Sequence, residues 1–233
     1  MRETIESVLA QSYTQWELHV VDDCSSDGTP GIADEYARQD ARISHIRLQR
    51  NSGPAMARQA GVERARGQFI AFLDSDDLWL SAKLERQLAF MGTRRAALSF
   101  TAFRRMSHDG SRVGRLIHVP EYLSYAQLLG NTAIATSTVV IDRQYAGPFR
   151  MVNTYYDDFA LWLEITRRGF PAYGLDEDLM RYRVLGRSVS RNKGRSAMMV
   201  WRTYREVERL SLLRASWAFT RYACNAVRKY AAF

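Results

Sequence analysis

Two rhythms of apolar and polar positions alternate along the amino-terminal part of the chain. Glu17-Leu-His-Val-Val-Asp22, Ile43 to Leu48 and the run from Phe69 to Leu73 are short and apolar, the signature of strands. Between and after them, Pro30 to Gln39, Pro54 to about Ala65 and Ser81 to Met91 carry helical spacing. Strands that alternate with helices predict a parallel sheet with helices on its faces. The rhythm then changes. Leu98 to Met106 and Ser111 to Val119 flank His108-Asp109-Gly110, a hairpin-type turn. Tyr125 to Leu129 reads as a short helix and Ser137 to Ile141 as a buried strand. Asp157 to Arg168 is helical in pattern, with Phe159, Trp162, Leu163 and Ile165 as its apolar residues and Gly169 where a helix C′ residue is expected. Residues 196–230 read as helix in two pieces. The expected fold class is α/β, with a mostly parallel central sheet, helices on both faces and a helical tail. The division is one domain over residues 1–194 and a basic amphipathic tail over 195–233.

The polar residues at the strand ends carry the candidate chemistry. Asp74-Ser75-Asp76-Asp77 follows the Phe69 strand directly, at the carboxyl end where open α/β sheets place their ligands. Three like charges this close repel one another, and Mg²⁺ or Mn²⁺, which takes hard oxygen ligands, relieves them. Capping of the next helix by Asp and Ser accounts for the same tetrapeptide, and both readings stand. Asp22-Asp23-Cys24-Ser25-Ser26-Asp27-Gly28-Thr29 repeats the theme at an earlier strand end. A carboxylate here can accept from a base N–H or a sugar hydroxyl, or the segment can be a turn with an N-cap. Pro54 suits the first turn of a helix whose amino-terminal amides could meet an anion. Arg58, one turn on, can bind that anion or brace the acidic cluster. Asp157 and Asp158 open the Trp162 helix, where the helix dipole favours carboxylates whatever their use.

Composition narrows the setting only slightly. Of 233 residues, 46% are hydrophobic and 25% charged, as in ordinary globular proteins. No run reaches the roughly 18 apolar residues of a membrane-spanning helix. Cys24 and Cys224 lie far apart, against a disulfide framework and in keeping with a reducing cytosol. The net charge is +8, nearly all of it from arginine, because Lys83, Lys193 and Lys229 are the sole lysines. Nucleic acid, an anionic membrane or a phosphorylated substrate each fits that balance. The several acidic clusters argue against nucleic acid. His19, His45, His108 and His118 show no metal-ligand spacing. The tail interleaves aromatic residues with arginines, a pattern that can lie in an anionic membrane interface or pack on its own domain.

Taken together, these segments resemble the family 2 glycosyltransferases of the GT-A fold. The matching pieces are Val-Val-Asp22-Asp23-Cys-Ser-Ser-Asp-Gly-Thr, Asn51-x-Gly53-x-x-x-Ala57-Arg58-x-x-Gly61, and Ala65-x-Gly67-x-Phe-Ile-x-Phe-Leu-Asp74-Ser-Asp76-Asp77. Tyr156-Asp157-Asp158-Phe-Ala-Leu-Trp162 and Tyr182-Arg183-Val-Leu-Gly-Arg187-Ser188-Val-Ser190 extend the likeness, which looks like the subgroup that builds teichuronic acid and other surface polysaccharides. The resemblance implies an inverting, metal-dependent transfer from a nucleotide sugar, UDP-linked, to a saccharide or lipid-linked acceptor. By it, Asp23 contacts the base, Asp74 the ribose, and Asp76 the Mn²⁺ or Mg²⁺ that bridges the diphosphate. Asp158 is the general base, and Asp22, Asp77 and Asp157 are secondary members of the site. Many relatives carry a histidine where Leu185 stands, so Arg183, Arg187 or Lys193 would meet the diphosphate. The implied location is cytoplasmic, peripheral on the inner face of the membrane. Relatives open with a strand of the type Val-Ser-Val-Ile-x-Pro-x-Tyr-Asn, whereas this sequence opens at the helix after it. A missing β-unit of about 15–20 residues would leave its neighbours' backbone groups unpaired. The rival expectation is therefore an inactive form that binds nucleotide or membrane.

Overall fold

The structure, a computed structural model, describes residues 1–132, 134–184 and 193–231, the side chains of 193 and 226–231 excepted. After helix α1 (Arg2–Leu9), strands β1 (Leu18–Asp22) and β2 (Ile43–Arg47) pair in parallel through helix α2 (Thr29–Gln39). Pro30 in the first turn of α2 and Pro54 at the start of α3 (Pro54–Arg64) supply φ angles already set for a helix. A second sheet has seven strands among the described residues. Its main order is β3 (Phe69–Ala71), β8 (Val140–Asp142), β5 (Leu98–Ser107), β9 (Ala172–Val184), β4 (Leu78–Trp79). Two more strands, β6 (Val113–Ile117) and β7 (Tyr122–Leu123), add to β5 and β9 respectively.

The α/β class is as expected, but the predominance of parallel pairing is corrected to a mixed sheet. Parallel pairs occur at β1–β2 and β5–β9, and the other pairs are antiparallel. The helical crossover by α4 (Lys83–Arg94) does keep β3 and β5 in one direction, since both run antiparallel to β8. β8 enters between them from a later part of the chain, and a hairpin adds β6, so neighbours in the sheet are seldom joined by a crossover. The strand expected from Ser137 begins instead with a tight 3-10 turn, Thr136–Thr138, before β8.

Alternation along the strands feeds two cores. Ile141 and Ile70 pack into a cluster with Trp162, Leu163 and Ile165 of helix α7 (Asp157–Arg167), whereas Val140 joins Met91 of α4 on the opposite face. Helices therefore cover both faces, as expected. The α7 side also holds the carboxyl-terminal helices. Val200 of α8 (Lys193–Arg202), Tyr204 in a π-helical turn (Thr203–Val207), and Ala215 and Ala218 of α9 (Leu212–Ala231) all enter that cluster. Tyr204 donates its hydroxyl to the Leu129 carbonyl of α5 (Tyr125–Leu129), and the Glu208 carboxylate accepts from Tyr125 at 2.6 Å.

β1 and β3 each keep one unpaired edge, because among the described residues β1 pairs with β2 and β3 with β8 alone. A cavity of about 900 Å³ lies between them, lined by Leu18 to Val21 on one side and Phe69 to Leu73 on another. Ile5 and Val8 of α1 line it too, and Arg58, Asp74 and Ser75 stand at its polar end.

Lys83 is the other anomaly. It is fully buried, its Nζ lies 3.9 Å from the centre of the Trp79 ring, and it has no hydrogen-bond partner. Burial pushes its ammonium down from 10.5 to about 7. The unfolded chain thus holds a proton that the folded chain releases between those values, so stability rises with pH across that window and the penalty is full below it. Lys83→Met is expected to stabilise the fold at pH 6 by about 2 kcal/mol and to flatten this rise, read from urea midpoints.

Candidate active site

Past β3 the chain continues through Phe72 and Leu73 into the acidic loop, whose three carboxylates are held in three different ways. Asp74 receives Arg58 of α3 at 2.7 Å. Asp76 is half-buried, and burial with the Asp74 charge raises its carboxyl above the ordinary range, opposed by its own amide, Arg183 and the amino terminus. Asp77 is buried, with Ser137 donating to Oδ2 at 2.6 Å and the Arg183 amide to Oδ1 at 2.9 Å. Ser137 Oγ also accepts from the Asp74 amide at 3.0 Å, so one hydroxyl fixes both ends of the loop.

The end of β1 is organised differently. Asp22 is buried and accepts from the Ser25 amide at 2.9 Å, with Arg47 3.6 Å from its other oxygen. Asp23 takes the amides of Ser52 and Gly53, each at 2.7 Å, on its two oxygens. It thereby clamps the loop that launches α3, where Gly53 has φ +85°, a backbone shape that favours glycine. Clamping is the use the structure gives Asp23, and each oxygen keeps a second lone pair toward solvent.

α7 brings the third acidic group. Asp157 and Asp158 lie in its first turn, where the helix dipole stabilises negative charge. Arg58 reaches Asp157 at 3.1 Å with the nitrogen not used on Asp74. Asp158 accepts from the Thr136 hydroxyl and the Phe159 amide, both at 2.6 Å. Burial foremost, and then the Asp157 charge, raises the Asp158 carboxyl, with Thr136 and Arg58 pulling the other way. A small cavity lined by Leu128, Ile134, Tyr156 and Trp162 abuts it. The carboxylates of the acidic loop and of α7 thus share one sheet edge, joined through a single guanidinium.

Arg183 has partners within the protein that the sequence does not reveal. Its guanidinium donates to the carbonyls of Asp76 at 2.9 Å and His108 at 2.6 Å and pairs with Glu3, which ties α1 and the β5–β6 turn to the acidic loop. Arg187 and the side chain of Lys193 lie outside the described residues. The sequence did not single out Thr136, Ser137 or Glu3. Hydroxyls in Ala135-Thr-Ser-Thr138 carry no spacing signal, and their partners are about 20 to 60 residues away in sequence. His19, His45 and His118 pair with Ser44, Asp34 and Asp176, and no three His, Cys, Asp or Glu converge as a metal cage among the described residues.

Comparison with known proteins follows this geometry. Residues 1–153 match the family described as Glycosyl transferase family 2. The chain belongs to that family. It is 46% identical over 230 residues to the "Putative teichuronic acid biosynthesis glycosyltransferase TuaG" of Bacillus subtilis, covering 98% of this chain and 91% of that protein. A second relative is the Escherichia coli "UDP-Glc:alpha-D-GlcNAc-diphosphoundecaprenol beta-1,3-glucosyltransferase WfgD", 35% identical over 199 residues, 85% of this chain and 77% of that one. Among solved structures, the mannosyltransferase PcManGT of Pyrobaculum calidifontis, in complex with GDP-Man and Mn²⁺, aligns with a TM-score of 0.69 at 17% identity, over all of this chain and 71% of that chain. S. aureus TarS 1-349 in complex with UDP-GlcNAc aligns at 0.67 and 16%, over 95% of this chain and 67% of that chain. At such identities these two establish the fold, which is GT-A.

The buried Asp77 offers a pH test. Burial lifts its carboxyl from 3.8 to about 7, against the hydrogen bonds from Ser137 and Arg183. Its contribution to stability is complete below about 4 and is lost as the pH rises through 7, because the unfolded chain ionises first. Asp77→Asn is expected to match the parent below pH 4 and to exceed it in urea midpoint above pH 7. Parallel profiles would discard the assignment.

Proposed function

We propose that this family 2 glycosyltransferase is an inverting, metal-dependent enzyme that moves a hexosyl group from a UDP-linked sugar to a lipid-linked or saccharide acceptor of a bacterial surface polysaccharide. The observation that carries this reading is Arg58, which holds Asp74 and Asp157 together and so sets the donor-side and acceptor-side carboxylates on one edge. The likeness to TuaG, named for teichuronic acid biosynthesis, supports the pathway class, and that to WfgD, named for UDP-Glc and a diphosphoundecaprenol acceptor, supports the donor and acceptor classes.

In this assignment Asp23 and Asp74 seat the nucleoside, Arg187 and Lys193 meet the diphosphate, and Arg183 orients the Asp76 loop. The donor set fits Mn²⁺ or Mg²⁺. Asp76 is a hard oxygen ligand whose negative charge lacks full compensation, and such ions take one or two carboxylates plus substrate phosphates in place of a protein cage. When bound, the ion supplies neutralisation of the departing diphosphate. Asp158 takes the acceptor hydroxyl's proton as the new C–O bond forms at the anomeric carbon and the bond to phosphate breaks on the opposite side. Its raised carboxyl is a better base near neutrality than an exposed aspartate. With a lipid-linked acceptor, the reaction in this assignment runs at the cytoplasmic face of a membrane.

A second reading has its own observation. The cavity between β1 and β3 opens onto Arg58 and Asp74 and leaves that side of the donor site unwalled, which favours nucleotide binding without turnover. Calorimetry with UDP and Mn²⁺ beside a transfer assay separates the two readings. Under the first, Asp158→Asn lowers transfer by at least about 10³-fold and leaves UDP affinity within about two-fold. Turnover undiminished in that variant refutes the base assignment.

A further inference from the structure

The outer face of α9 is unlike the rest of the surface. Ala215 and Ala218 are buried, and Phe219 and Tyr222 pack against the α7 core, so one side of the helix is committed to the fold. The opposite side carries Leu213 and Trp217, 85% and 68% exposed, with Thr220 and Cys224 continuing the same stripe at helical spacing. Leu212 is exposed beside them. No helix among the described residues is long and apolar enough to cross a membrane, so this stripe is not part of a span.

The segment that carries the stripe is predominantly cationic. Residues 195–231 hold eight cationic side chains and two carboxylates. Of the two carboxylates, Glu208 is buried against Tyr125 and Arg167, and Glu206, though exposed, is engaged by the Tyr155 hydroxyl. Arg209 and Arg214, on either side of the start of α9, are exposed. An exposed leucine–tryptophan stripe beside outward arginines suits the headgroup boundary of an anionic bilayer, where the tryptophan ring sits at the interface and the guanidiniums meet phosphates. Two copies of the same face would bring like charges together, which disfavours self-association.

We propose that the Leu213–Trp217 face of α9, flanked by Arg209 and Arg214, is a peripheral docking surface for anionic membrane. The surface stands on exposure and charge, independently of the donor and acceptor assigned above. Co-sedimentation with phosphatidylcholine vesicles, with and without about 40% phosphatidylglycerol, tests it. The full chain is expected to partition onto the anionic vesicles and to be released as salt rises from about 0.1 to 0.5 M. A Leu213→Glu/Trp217→Glu variant and an Arg209→Gln/Arg214→Gln variant should each weaken partition at least about ten-fold. Both should keep the parent's far-UV circular dichroism and UDP affinity, so that loss of membrane binding is read apart from any failure of the nucleotide site. Equal binding to neutral vesicles, undiminished binding by both variants, or lipid-free oligomers abolished by Leu213→Glu/Trp217→Glu would each overturn the proposal.

Discussion

One guanidinium sets the distance between the two halves of the site. Arg58 leaves α3 and divides its donors between Asp74 at the end of the β3 run and Asp157 at the start of α7. Those carboxylates come from segments far apart in sequence, and like charge would push them apart. A largely buried arginine converts that repulsion into two attractions, and its fixed planar fork makes the spacing specific in a way that a lysine's point charge does not. α3 can aim Arg58 because the loop that launches it is anchored by Asp23 through two amides. The end of β1, the helix after β2, the acidic loop and the start of α7 are therefore one electrostatic assembly.

Around that assembly, neutral donors decide which carboxylate does what. Ser137 serves Asp74 through its oxygen and Asp77 through its proton, and Thr136 holds Asp158. Asp77 is buried, its carboxyl is raised by that burial, and it braces Ser137 and the Arg183 amide. Asp76 stays half open, with less to offset its charge. Neighbouring residues of identical chemistry thus diverge through burial and one or two hydrogen bonds. The tight turn at Thr136–Thr138, which replaces the first residues of an expected strand, is what aims both hydroxyls at the site.

Local pattern revealed much of this. The runs at Leu18, Ile43 and Leu98, the prolines that open α2 and α3, and the acidic strand ends were legible because each is encoded within a few neighbouring residues. β9, the longest strand, was not. Its Asp176-Glu-Asp178 stretch is polar, and its pairing with β5 shifts register twice, so no clean alternation survives. The two-residue strands β4 and β7 are too short to show a period. Among site residues, the carboxylates announced themselves by clustering, whereas the partners of Arg183 left no local signal. α1 and the turn at His108, distant in the chain, supply acceptors to it that no local pattern reveals.

The divided sheet has a consequence of its own. Inward amides and carbonyls of β1 and β3 border an opening floored with aliphatic side chains, and no lysine, proline or bulge blunts either edge within those strands. Natural sheets guard such borders because any extended, greasy polypeptide can zip onto them. Here the guard is cover: α1, with Ile5 and Val8, forms part of the wall. Concentration and mild heat, wherever they loosen that helix, are therefore expected to expose both borders to pairing with another chain.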